Sequence, residues 1–293
     1  MKRNTSAIPM LLFAMLIGFN VESQEQDPFH ITYSHLPLKD TENGCISQWD
    51  IGLMLPLHKS EALVMATGLN LNLLQLRHFP MEIGEQLFQV TLPLVGRVPL
   101  NTWERLFFAG RITMGSDLKD ISFEDVSFSL GMGFQRKISE RWDLGLGLGY
   151  AHQFFGNQIL PFVEFKYQPN GKAVFSGRFP LNMTYERFLC QRNKIGMGWK
   201  LGANSFRLSE DVHQGDFIRQ NHFRAALFLT QNIYERFHLK LSTGFVGQKY
   251  QRFQDSDGGG WTLVTFPLAK EPEPLEEFEN RTAFFEIGLH YSF

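Results

Sequence analysis

The residues of this 293-residue chain that could carry chemistry are few and scattered: nine His, two Cys and some short acidic clusters. Cys45 and Cys190 are too few for a disulfide framework or for a multi-Cys metal or iron–sulfur site. The run Gly145-x-Gly-x-Gly149 has the spacing of a nucleotide-binding loop. Such a loop must feed a helix whose N–H groups meet the phosphates. Here the glycines sit inside unbroken strand alternation, where they leave room for neighbouring side chains. Asp255-Ser-Asp257-Gly258 begins like a calcium loop but lacks the remaining oxygen ligands. No Ser, His and acid fall at a spacing that marks a triad, and triads are recognised by geometry. The sequence therefore assigns no catalytic, cofactor-binding or metal-binding residue.

Charge excludes another class. Lys plus Arg number 28 and Asp plus Glu 30, so the chain lacks the concentrated basic surface of a nucleic-acid binder. An aromatic content of 14%, with 29 Phe and 26 Gly, argues against disorder.

The N-terminus has the layout of a secretion signal. Met1-Lys2-Arg3 is basic, Ala7 to Val21 is almost wholly apolar, and Val21 and Ser23 suit a cleavage site. The apolar stretch is shorter than the ~20 residues of a spanning helix. Residues 1–23 are expected to be a signal peptide and 24–293 the mature domain, with no lipoprotein cysteine after the apolar core.

From Gln48 onward the dominant pattern is alternation. Trp142, Leu144, Leu146, Leu148 and Tyr150 alternate with Asp143, Gly145, Gly147, Gly149 and Ala151; Val126, Phe128, Leu130, Met132 and Phe134 alternate with Ser, Gly and Gln. Period two is the strand signature. One face is large and apolar, the other small or polar, and the segments run ~9–12 residues against ~5–6 for ordinary strands. Tilted strands of that length, apolar outside and polar inside, predict an all-β, transmembrane, antiparallel up-and-down barrel. Trp49, Trp103, Trp142, Tyr150, Tyr167, Tyr185, Trp199, Tyr291 and Phe293 fall near segment ends, as interfacial girdles do.

Turn length gives the strand number. A bacterial barrel has an even count, tight periplasmic turns and longer external loops. Candidate strands are 29–36, 46–57, 62–74, 86–98, 103–115, 126–136, 142–152, 158–167, 172–188, 194–207, 217–230, 237–248 and 282–293. Only 172–188 has a short link on both sides, and Pro180 in its middle suits a turn. Splitting there predicts about 14 strands; leaving it whole and setting 29–36 aside as a plug gives 12. The same parity puts Cys45 at an external loop and Cys190 at a periplasmic turn. The long segment 249–281 is non-periodic, and its Trp261 to Phe266 stretch could fold back as a strand extension.

The final Tyr291-Ser292-Phe293 resembles the insertion signal of bacterial outer-membrane barrel proteins. The run Leu144 to Tyr150, Ile159-Leu160-Pro161, Phe179-Pro180 with Tyr185, and Gly202 with Asn204 resemble an outer-membrane barrel family of unknown function. The resemblance implies an outer-membrane location in a Gram-negative envelope, contact with its lipid, and engagement of the barrel-assembly machinery through the C-terminal strand. It brings no catalytic residues and says nothing of oligomeric state.

The inward phase carries Arg111, Asp143, Glu164, Lys166, Arg178, Lys200, Arg224, Lys240 and Glu286. These are the lumen-lining candidates. They would serve either as a slightly basic selectivity lining or as a lattice of cross-strand ion pairs. The expected function is a passive channel for small solutes; the alternatives are a structural or interaction barrel with a filled lumen and, last, a lipid-modifying enzyme with Ser and His at the lipid boundary.

Overall fold

The computed structural model describes residues 27–292 apart from 40, 258, 265 and 269–271. The expected signal peptide and Phe293 lie outside the described residues. No described helix is long and apolar enough to cross a membrane. Crossing is done by strands.

These are β1 (Phe29–Pro37), β2 (Cys45–Lys59), β3 (Val64–Arg77), β4 (Gln86–Pro99), β5 (Glu104–Ser116), β6 (Val126–Ser139), β7 (Trp142–Gln153) and β8 (Gly156–Asn170). There follow β9 (Ala173–Phe179), β10 (Asn182–Phe188), β11 (Asn193–Arg207), β12 (Phe217–Tyr234) and β13 (Phe237–Phe253). After β14 (Gly260–Leu263) and β15 (Phe266–Pro267), β16 (Glu276–Tyr291) completes the set. Each of β1 to β12 pairs antiparallel with the next, β13 pairs with β16, and β16 closes on β1, giving a 14-stranded barrel. The split at Pro180 is confirmed, and 29–36 is a wall strand rather than a plug.

The alternation sets which face meets lipid. On β7, Leu144, Leu146 and Leu148 point outward, Leu146 with 67% of its surface exposed. Gly147 faces inward, where a Cβ would meet the Phe162 ring. At the periplasmic ends Trp142 stacks on Tyr167 at 4.1 Å, and Phe237 meets Tyr291 at 5.1 Å. Trp199 departs from the girdle pattern. It is the seventh residue of β11's 15 and packs beside Phe179 and Phe223 at mid-strand.

Two features break the regular cylinder. First, the β9–β10 hairpin is short, with seven residues in each strand, and turns at the cis Phe179-Pro180 peptide. It meets β8 no higher than Val163 and β11 no higher than Leu201, each near mid-strand. Above it the upper part of β11 leans inward: Arg207 pairs with Ser116 of β5, and Ser205 Oγ donates to Gln153 at 3.0 Å. Second, β14 adds to the upper edge of β8 in parallel, from Gly260 opposite Gly156 to Leu263 opposite Ile159. The Trp261 to Phe266 stretch thus does fold back as a strand extension.

The external mouth is roofed. Residues 78–85, between β3 and β4, fold inward, burying Met81 and Ile83 against Leu36, Leu74, Phe206 and Tyr250. Phe79 stands edge-on to both Tyr250 and Phe278. Outside the membrane span, burial in the roof raises the Asp125 carboxyl against the pull of Ser122 and Arg207, and lowers His213 with help from Arg252.

Leu146→Arg is expected to lower unfolding free energy in lipid vesicles by about 2–4 kcal/mol. Gly147→Ala should act through the lumen instead, costing about 1–3 kcal/mol by overpacking. Urea titrations in vesicles of two thicknesses check the pair: only the Leu146 variant should respond to lipid.

Candidate functional site

Every lumen-lining candidate falls on the inward phase of its strand, and the structure sorts them into pairs and free ends. Glu164 is 4% exposed and accepts from Arg178 Nε at 3.0 Å, a cross-strand pair set by the register of β8 on β9. The Arg178 guanidinium also lies 5.7 Å from the rings of Phe107 and Phe162. Arg224 Nη1 reaches Glu286 Oε2 at 2.5 Å and lies 4.2 Å over Phe284, while Ser34 Oγ donates to the same carboxylate at 2.8 Å. The Lys240 ammonium sits 4.5 Å over Phe228. Two arrangements thus recur inside the wall: cation on carboxylate and cation on aromatic face.

Arg111 and Lys200 are different. Arg111 Nε donates to Ser129 Oγ at 2.7 Å. Among the described residues no hydrogen bond or ion pair holds the Lys200 ammonium, which has Asp50, Glu286, Arg224 and Arg111 as its charged neighbours. Both side chains are ringed by protein yet exposed to open space, as a hollow interior requires. Asp50, one of its acidic neighbours, is instead held by His30 at 2.6 Å and by Asn72 at 3.0 Å.

The periplasmic end of the interior holds a vestibule of about 380 Å³. Arg97, Arg105, Lys137, Arg141 and Lys166 line it against Glu104, Glu140 and Asp143, five positive charges to three negative, a net +2. Arg105 Nη2 and Asp143 approach to 3.5 Å. Lys166 belongs to this vestibule and not to the mid-lumen hollow.

The reading from sequence missed Phe107, Phe162, Phe228 and Phe284. Each is one of two adjacent large residues, or sits among them, so simple alternation names either as lipid-facing. Counting phase from Arg111, Glu164, Arg224 and Glu286 would have placed all four inward. Asp50 and His30 were passed over because they lie on strands with no other inward charge.

Among the described residues two Ser–His contacts occur at the periplasmic rim: His238 Nε2 to Ser292 Oγ at 2.6 Å, and His58 Nε2 to Ser60 Oγ at 3.2 Å within one turn. Among the described residues no group of three or more His, Cys, Asp or Glu could hold a metal. Cys45 and Cys190 are both free, at the external and periplasmic ends respectively.

Residues 61–261 match the model of a family described as Domain of unknown function (DUF6268). The chain belongs to the DUF6268 family. No curated protein matches it. Among solved structures, this DUF6268 chain resembles the COG4313 outer membrane channel from Pseudomonas putida F1, at 10% identity and a TM-score of 0.46, over 94% of this chain and 100% of that one. It also resembles the NanC porin, at 7% identity and TM-score 0.39 over 90% and 100%. A third is a TodX deltaS2S3 mutant monoaromatic hydrocarbon channel, at 8% and 0.39 over 90% and 89%.

Glu164→Gln removes the partner of Arg178 and is expected to cost about 1–3 kcal/mol. Glu164→Leu combined with Arg178→Leu should recover most of that loss. Chemical unfolding of the three proteins in vesicles checks it.

Proposed function

We propose that the protein is an outer-membrane barrel that passes small solutes, with a preference for anions. The observation that carries this reading is the hollow at mid-lumen into which Lys200 and Arg111 project, above a vestibule of net positive charge. Fixed charges in a narrow hydrated lumen lie within the ~8 Å screening length at physiological salt, so they bias permeation. The lumen-lining role falls on Arg111 and Lys200 first, with Lys166 at the periplasmic mouth. Glu164, Arg178, Arg224, Glu286 and Lys240 stiffen the wall through their pairs. The apolar outer belt and the even strand number support an outer-membrane setting, with assembly through the C-terminal strand by the envelope's barrel-assembly machinery.

A second reading, a barrel with a closed lumen that serves structure or surface interaction, is favoured by the roof of residues 78–85. The two readings differ in what happens when the roof is removed.

In planar bilayers the protein is expected to give small, anion-selective conductance. Replacing 78–85 with a short Gly-Ser turn should enlarge it. Neutralising Lys200 and Arg111 together, each to Gln, should move the reversal potential toward cations, and high salt should erase the difference. Cation preference in the unmodified protein overturns the anion reading. No conductance in either the unmodified or the roof-shortened protein overturns passage altogether.

A further inference from the structure

The wall is not continuous. Between Ile159, opposite Leu263 at the end of β14, and Val163, opposite Phe179 at the end of β9, the edge of β8 has no strand partner over Leu160, Pro161 and Phe162. On the other side, the edge of β11 loses its neighbour above Leu201, whose N–H is the last to reach the hairpin, at Leu181 O. Pro161 has no N–H to leave unpaired there. The break therefore opens at mid-strand height, directly above the hairpin tip at Phe179–Asn182.

Its outer surroundings are apolar. Phe179 and Val163 expose 54% and 42% of their surfaces beside it. From above, the β14–β15 hairpin hangs beside it with Trp261, Phe266 and Leu268 exposed, held by Val264 N donating to Ile159 O at 2.8 Å and by Gln158 Nε2 to Val264 O. The inner side is charged. Register places Lys200 opposite Asn182 at the sill, one residue below Leu201, with its side chain on the inward phase. Around it Lys200, Arg111 and Arg224 set three positive charges against Asp50 and Glu286, an excess of one.

We propose that this break is a lateral doorway, and that it seats a single-chain amphiphilic monoanion. The ligand's carboxylate head lies in the hollow on Lys200 and Arg111. Its alkyl tail passes out between Leu160–Phe162 and the hairpin tip into lipid, beneath the β14–β15 flap. One excess positive charge matches one carboxylate. An apolar rim outside and an unpartnered ammonium just inside match a molecule that is apolar for most of its length and charged at one end. With the external mouth roofed, this is also the path by which such a molecule reaches the hollow from the outer half of the membrane. The proposal rests on the lumen reading above, but its test measures binding and does not require conduction.

The full-length barrel in phosphatidylcholine nanodiscs is titrated calorimetrically with dodecanoate, dodecanol and acetate, with empty nanodiscs as the partition control. Saturable binding of dodecanoate is expected, with dodecanol and acetate each weaker by about tenfold or more. Lys200→Met should weaken dodecanoate by a similar factor and Lys200→Arg should restore it, both with the heat-modifiable gel mobility of a folded barrel. Replacing residues 260–268 with a Gly-Ser linker should speed dodecanoate binding in stopped flow and leave its affinity unchanged. Equal binding of dodecanoate and dodecanol, or an unchanged affinity in folded Lys200→Met, overturns the head-group site. Acetate competing as well as dodecanoate overturns the doorway. Displacement of dodecanoate by dioleoyl phosphatidate at equal concentration overturns the single-chain assignment in favour of a two-chain lipid.

Discussion

A backbone inside a bilayer must pair every N–H and C=O with something, since the hydrocarbon offers no water. In this barrel that requirement meets a hairpin that stops halfway up the wall. Most of the irregular architecture follows from the collision. Above Leu201, β11 has lost one neighbour and turns inward until Arg207 finds Ser116 on β5 and Ser205 finds Gln153. The opposite edge, on β8, takes β14 from a loop some hundred residues later in the chain. The inward lean of β11 in turn carries Phe206 and Leu208 under the external mouth, where the 78–85 loop packs over them.

The interior answers a different constraint. Cations inside a wall must be paired or left wet. Arg178 and Arg224 are paired twice over, by a carboxylate and by aromatic faces, and the small residues opposite make room for those rings: Gly133 faces Phe107 and Gly147 faces Phe162. Lys200 and Arg111 remain at the hollow. Of the glycines spaced like a phosphate loop, Gly147 is thus the space taken by a phenylalanine ring, while Gly145 and Gly149 lie against Gln135 and Leu160 of the neighbouring strands.

Much of the fold was legible because the barrel imposes period two on nearly every residue. Strand ends match to within a few residues from β1 to β12, and turn parity alone located the split at Pro180. The reading was weaker where period two is broken by two large neighbours, as at Phe107-Phe108 and Phe284-Phe285, where composition does not say which ring faces lipid. The external half of β16, from Glu276, was missed because its outward positions are charged and lie above the apolar belt. At the site, the charged positions and their phase were readable. Which of them pair was not, because pairing depends on register across strands that are close in space and, for Ser34 with Glu286, 252 residues apart in sequence.

That last separation bears on how the molecule comes to exist. The seam between β1 and β16 runs from Phe29 opposite Tyr291 to His35 opposite Phe285 and is the most sequence-distant ladder in the wall. It is fastened at one end by His290 on Asp27 at 2.6 Å and farther up by Ser34 on Glu286. Every other antiparallel ladder of the 14 wall strands joins sequential strands, or in the case of β13 and β16 strands separated by the segment that carries β14 and β15; the shorter parallel contacts of β11 with β5 and of β14 with β8 are the remaining distant ones. The longest loop closure in the wall therefore falls on this seam. Until it zips, β1 and β16 each present an open edge. Synthesis has to deliver the last strand before the first can be sealed, so the cylinder cannot close until the chain's far end has arrived.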